Sequence, residues 1–126
     1  MSTTISTKSY NDGDYKRSTS IDKRKEESAR TIDKYPDMIP IIFERQKNST
    51  IPYLDKCKIM ISDKCNVSSF IFAMRQRVKL KPEEAFYIYV NNTIPNMSML
   101  MSQLYKENKD DGGFLYIVYA SEATFG

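Results

Sequence analysis

Residues 38–61 read MIPIIFERQKNSTIPYLDKCKIMI. Two β-rich runs, Met38 to Phe43 and Lys56 to Ile61, bracket a polar loop that holds Asn48, Ser49 and Pro52. Branched and aromatic runs bounded by turn formers pair as strands. Side chains alternate along a strand, so the second run puts Cys57, Ile59 and Ile61 on one face and Lys56, Lys58 and Met60 on the other. Lysines so placed suit an exposed edge, where charge discourages stray pairing. The hairpin therefore carries one solvated edge.

Downstream, Asn66 predicts an N-cap for a helix from Val67 to about Lys79, with Val67, Phe70, Ile71, Met74 and Val78 as its apolar stripe. Arg75, Arg77, Lys79 and Lys81 gather at its C-terminal end, the negative end of the helix dipole. A strand over 85–90 follows, broken by Asn91 and Asn92. Ser98 predicts the cap of a second helix with a face of Met97, Met101, Leu104 and Tyr105. Asp110 to Gly113 reads as a turn, and Phe114 to Tyr119 as a strand buried on both faces.

Upstream, Asp22 predicts the cap of a helix that runs to about Lys34 and stops at Pro36. Its basic run Lys23-Arg24-Lys25 reads as a solvated face, with contact to acidic partners or anionic lipid as the other reading. Nine of the first 22 positions are Ser or Thr, so residues 1–21 read as a disordered extension, in which Tyr10 and Tyr15 keep a docking role open. The divisions are an extension over 1–21, a helical arm over 22–36, a domain over 37–120 and a flexible tail over 121–126. Strand–strand–helix–strand–helix–strand is a β-grasp order in the α+β class, since one helix laid across a sheet buries both.

Composition fits a single domain: 126 residues, 40% hydrophobic and 28% charged. No apolar run is long enough to span a bilayer, and the N-terminus has no secretory apolar core. Histidine is absent, which removes Ser-His and Cys-His nucleophiles and histidine metal sites. Cys57 and Cys65 cannot build a disulfide scaffold or a four-cysteine zinc site, so a reducing, cytoplasmic setting is expected. Both read as small hydrophobes, Cys57 as a strand packing residue. A net charge of +3 is too mild to argue nucleic acid. The acid pairs Glu26-Glu27, Glu83-Glu84 and Asp110-Asp111 read as solvated surface. The expectation is a non-enzymatic protein without cofactor or metal.

Five motifs narrow this reading: Lys34-Tyr-Pro-Asp-Met-Ile-Pro-Ile-Ile, Tyr53-Leu-Asp-Lys56, Phe86-Tyr-Ile-Tyr-Val-Asn-Asn92 with Ile94-Pro95, Gln103-Leu-Tyr-Lys-Glu107 and Phe114-Leu-Tyr-Ile-Val-Tyr119. In register, and followed by the terminal pair Phe125-Gly126, they resemble the autophagy ubiquitin-like modifiers. That is the family of autophagy-related protein eight, microtubule-associated light chain three and the GABA-receptor-associated protein. The resemblance runs from about residue 22 to Gly126. It implies a ubiquitin-like β-grasp with two extra N-terminal helices or a helical arm.

The resemblance further implies conjugation. The carboxyl of Gly126 would be adenylated, passed as a thioester between activating and conjugating enzymes, and joined to the amine of phosphatidylethanolamine on autophagosomal membranes. A processing and deconjugating cysteine protease is implied as well. Glycine suits this role because a tail without Cβ threads narrow channels. Cargo receptors with aromatic-x-x-aliphatic motifs would add a strand beside the 57–61 edge. Carried over, the aromatic pocket is Glu27, Thr31, Pro40, Ile42, Lys58, Met60 and Phe114, and the aliphatic pocket is Ile59, Ile61, Ser62, Cys65, Phe70 and Ala73. Lys56, Lys58 and Arg77 would meet acidic residues flanking the peptide. The alternative is a non-conjugated adaptor that tethers cargo or microtubules through the same groove and the basic arm.

Several residues depart from the family pattern. Thr31 stands for an aliphatic, Ser62 for a frequent proline, Cys65 and Ala73 for larger aliphatics, and Met38 for a basic residue. Gly112 replaces a usual acid, and Gly113 a phenylalanine of some members. A wider or shallower aliphatic pocket and a more polar aromatic rim are expected.

Overall fold

The computed structural model describes residues 10–54 and 56–121. Two helices, α1 (Asp14–Ser18) and α2 (Ile21–Lys34), precede the hairpin of β1 (Met38–Arg45) and β2 (Lys58–Ser62). Then come α3 (Val67–Arg77), β3 (Tyr87–Tyr89), α4 (Met101–Asn108) and β4 (Leu115–Ala120). The sheet order is β2-β1-β4-β3, with β1 antiparallel to β2 and parallel to β4, and β3 antiparallel to β4. This mixed sheet is the β-grasp arrangement read from the sequence, with two helices placed before it. β2 is an outer strand.

Alternation along the central strands gives the sheet two apolar faces. Ile39, Ile41, Phe43, Leu115, Ile117 and Tyr119 join Val67, Phe70 and Met74 of α3 and Met101 and Leu104 of α4 in the main core. Phe43 lies at its centre, stacked on Tyr119 at 4.4 Å and edge-on to Phe70 at 5.7 Å. On the opposite face Ile42 and Phe114 form a smaller cluster with Tyr15 and Cys57.

Local signals account for the starts of α2 and α3. Asn66 caps α3 as expected, its side-chain oxygen accepting the Ser69 N–H at 2.9 Å. α2 starts two residues earlier than read, because Ser20 rather than Asp22 supplies the cap by accepting the Lys23 N–H at 3.2 Å. Ser98 does not cap α4. Asn96 accepts from both its N–H and its hydroxyl, at 2.9 and 2.8 Å, and α4 begins only after Leu100, without a side-chain cap. Met97 is consequently exposed rather than part of the buried face. Cys57 also leaves the face it was assigned. β2 starts at Lys58, and before it the chain bends so that Cys57 packs with Ile42 and Phe114, away from Ile59 and Ile61.

The largest difference concerns the extension. Residues 1–9 lie outside the described residues, but residues 10–20 are ordered against the domain. Asn11 bridges to Arg45, and Tyr15 of α1 is only 3% exposed. The composition of the segment misleads because a few groups hold it. The buried Glu44 carboxylate accepts the N–H groups of Gly13 and Tyr15 at 3.2 and 2.9 Å, and the Tyr15 ring meets Phe114 edge-on at 5.6 Å. α2 docks lower on the same face, where Ser28 donates to the Gly112 carbonyl at 2.6 Å. A Cβ on Gly113, whose φ is +89°, would stand 2.4 Å from the Ser28 hydroxyl oxygen, so the departure to glycine there matches the close helix.

Candidate functional site

Where α2 passes beside the β1–β2 hairpin, a groove of about 430 Å³ opens on the outer face of the sheet. Antiparallel register sets Pro40 opposite Met60, and alternation turns both toward the groove together with Lys58. From α2, Glu27, Arg30 and Thr31 reach the same space, as residues three and four apart on a helix do. Phe114 forms a further wall.

Six of the seven residues assigned to the aromatic pocket therefore line one groove: Glu27, Thr31, Pro40, Lys58, Met60 and Phe114. Ile42 does not line it, being fully buried in the cluster with Phe114. The three cations assigned to acidic flanks, Lys56, Lys58 and Arg77, stand along it. Arg30 and Tyr35 also line the groove and were missed. The spacing 27, 30, 31 on α2 is the signal that points to Arg30.

The aliphatic set is arranged differently. Ile59 lines the groove, but Phe70 is wholly buried, and Ile61, Cys65 and Ala73 are half-buried fringes of the same main core. Ser62 is exposed at the end of β2.

Charge at the groove is uneven. Among the described lining residues Glu27 is the one acid, against Lys56, Lys58, Arg30 and Arg77. Its two oxygens are both engaged: Tyr15 donates its hydroxyl to Oε1, and the Lys58 ammonium lies 3.1 Å from Oε2. Burial works to raise the Glu27 carboxyl, but the Tyr15 hydroxyl and Lys58 outweigh it and hold it below its ordinary range. Glu44, behind α1, is the opposite case: burial raises its carboxyl despite the N–H groups of Tyr15 and Gly13. Cys57 and Cys65 are free thiols, and burial pushes Cys57 up to about 12. Cys57 packs beneath the groove with Phe114 and Cys65 borders the main core. Gly126 lies outside the described residues.

An α+β β-grasp domain with two helices ahead of it and an apolar, cation-rimmed groove beside an outer strand belongs to the ubiquitin-like class. Comparison with known proteins narrows this. The family model described as "Autophagy protein Atg8 ubiquitin like" matches residues 23–126. The chain is 43% identical to autophagy-related protein 8A of Oryza sativa subsp. indica over 106 residues, covering 84% of this chain and 89% of that protein. It is 43% identical to autophagy-related protein 8 of Mycosarcoma maydis over 112 residues, covering 89% and 95%. The crystal structure of Trypanosoma brucei ATG8 superposes with a TM-score of 0.84 at 39% identity, over 92% of this chain and 100% of that one. The chain belongs to the Atg8 family of ubiquitin-like autophagy proteins.

Proposed function

We propose that this protein is a lipid-conjugated modifier: the Gly126 carboxyl is joined to phosphatidylethanolamine on autophagosomal membranes, and the groove recruits cargo receptors. The observation that supports the reading most is the open β2 edge beside a groove with apolar walls and a cationic rim. An extended peptide adds backbone hydrogen bonds along such an edge and places its aromatic side chain between Pro40, Met60 and Phe114. Lys56, Lys58 and Arg77 suit acidic residues ahead of that anchor. The aliphatic anchor is assigned beyond Ile59, toward Ile61, Cys65 and Ala73, where the half-buried fringe must part slightly to admit it.

Activating and conjugating enzymes and a processing cysteine protease are the proposed partners, and these carry the bond chemistry. This chain acts as their substrate rather than as an enzyme. The cytoplasm is its proposed location before conjugation. Two acyl chains then hold it on the membrane, since each buried CH₂ contributes about 0.8 kcal/mol.

The test is a reconstituted reaction with the two enzymes, ATP and liposomes containing phosphatidylethanolamine, read by mass. The wild-type chain gains one lipid and Gly126→Ala gains none. Lipid on Gly126→Ala overturns the assignment of the glycine. No gain on the wild-type chain, with peptide binding retained, selects the unconjugated adaptor that tethers cargo or microtubules.

A further inference from the structure

Tyr15 is a residue that the groove does not expose and yet cannot be separated from. Its side chain is 3% exposed and is not among the lining residues, so it does not reach a bound peptide. It touches two groups that do. Its ring packs edge-on against Phe114, and its hydroxyl donates to Glu27. Its own position is fixed from behind by the Glu44 carboxylate, which accepts the Tyr15 N–H at 2.9 Å.

We propose that Tyr15 is a positioning residue that tunes, through Glu27, how strongly the groove prefers acidic peptides. The proposal rests on the groove being a peptide site. Lys58 is one of the cations an acidic flank would use, and in the free protein it is paired to Glu27 at 3.1 Å. Glu27 thus occupies internally the place that a ligand carboxylate would take. Lys58 is half exposed and carries three N–H donors, so a peptide acid competes with Glu27 for its charge, whereas a neutral peptide leaves the pair intact.

Tyr15 sets the strength of this internal competitor. Its hydroxyl holds one carboxylate oxygen and draws negative charge toward α1. Without the hydroxyl, Lys58 is the remaining hydrogen-bonding side chain at Glu27, beside the weaker influence of the Lys23 charge, and the pair tightens. Burial and the contact with Glu27 raise the Tyr15 hydroxyl far above its ordinary value, so it stays a donor throughout the working pH range.

The experiment uses the full chain and two synthetic peptides with the same aromatic-x-x-aliphatic core, one preceded by three acidic residues and one by their amide counterparts. Affinities are measured by calorimetry for the wild-type chain, Tyr15→Phe, Glu27→Gln and the double variant. Tyr15→Phe keeps the ring against Phe114, and circular dichroism checks the fold.

The acidic-to-neutral affinity ratio should fall about threefold in Tyr15→Phe, the size of one solvent-exposed ion-pair contact. It should rise by a similar factor in Glu27→Gln, where Lys58 is freed. In the double variant it should match Glu27→Gln alone, because Tyr15 then has no charge to tune. An equal change for both peptides, no change, or an effect that persists without Glu27 would each overturn the proposal. Failure of the wild-type chain to bind either peptide would instead overturn the groove assignment itself.

Discussion

Met60 stands 38% exposed on β2, opposite Pro40, with Phe114 across the groove. An exposed thioether beside two apolar walls adapts to an aromatic ring of varying shape, because its side chain is unbranched and polarisable. Met60→Ala removes that wall while leaving the β2 backbone and the cationic rim in place. Affinity for an acidic-acidic-aromatic-x-x-aliphatic peptide should then fall about tenfold, or roughly 1.4 kcal/mol, with an unchanged thermal midpoint. Calorimetry reads the first quantity and a melting curve the second. Unchanged affinity would remove Met60 from the aromatic site. At this scale most of the groove was legible, because residue-by-residue resemblance carried Glu27, Thr31, Pro40, Lys58 and Phe114 to one place. Ile42 was misjudged because alternation sets its face but not its depth, and α1 covers it. Tyr15 showed in the sequence only as an open docking role, which its burial against Ile42 and Phe114 now fills, and Glu44 left no sequence signal. One sits in a Ser/Thr-rich segment, and the other is an acid in a strand whose burial depends on residues 31 and 29 positions away, Gly13 and Tyr15.

At the scale of elements, α1 has five residues and cannot persist alone, since isolated helices this short are unstable in water. Glu44 anchors it from the adjoining strand. Burial raises the Glu44 carboxyl above its ordinary value of 4.5, with Asp12 and Asp14 adding to the rise. A carboxyl raised in the folded state binds more protons folded than unfolded. Its contribution is therefore complete below about 4.5 and declines as pH climbs through the folded value. Glu27 runs the other way: its lowered carboxyl stabilises above its ordinary range, and that contribution is lost as pH falls through the folded value. Comparing the wild-type chain with Glu44→Gln cancels Glu27 and the remaining groups. The wild-type advantage in melting temperature should be greatest near pH 4 and shrink toward pH 8. A difference that widens with pH would mean that Glu44 is charged at no cost in the folded state. Helix starts were readable where a cap and an apolar stripe coincide, as at Asn66. They were not where the polar residue serves a turn, as Ser98 does with Asn96.

Across the whole molecule, one sheet divides two apolar clusters of unequal size. The main core lies with α3 and α4 and contains most of the buried residues, and its strands and helices were visible as periodic runs. The smaller cluster joins Tyr15, Ile42, Cys57 and Phe114, from segments far apart in sequence, and periodicity cannot report it. This division changes what truncation is expected to do. Composition alone makes residues 1–20 dispensable, yet removing even residues 1–19, which spares the Ser20 cap of α2, strips Tyr15 from Ile42 and Phe114 and both N–H donors from Glu44. The gross loss resembles truncating a buried aromatic, about 3–5 kcal/mol. Freed chain entropy returns part of it, because ordering each residue costs about 1–2 kcal/mol and the segment needs some surplus to dock. The net loss should be about 1–3 kcal/mol. For a domain of this size that is a drop of roughly 5–15 °C in melting temperature. The main core should survive, so the truncated chain keeps a cooperative transition and its far-ultraviolet spectrum outside α1. Amide exchange should accelerate at Ile42 and Phe114 more than at Phe43 or Ile117. An unchanged melting temperature, with protection at Ile42 retained, would show that α1 rests on the sheet without stabilising it.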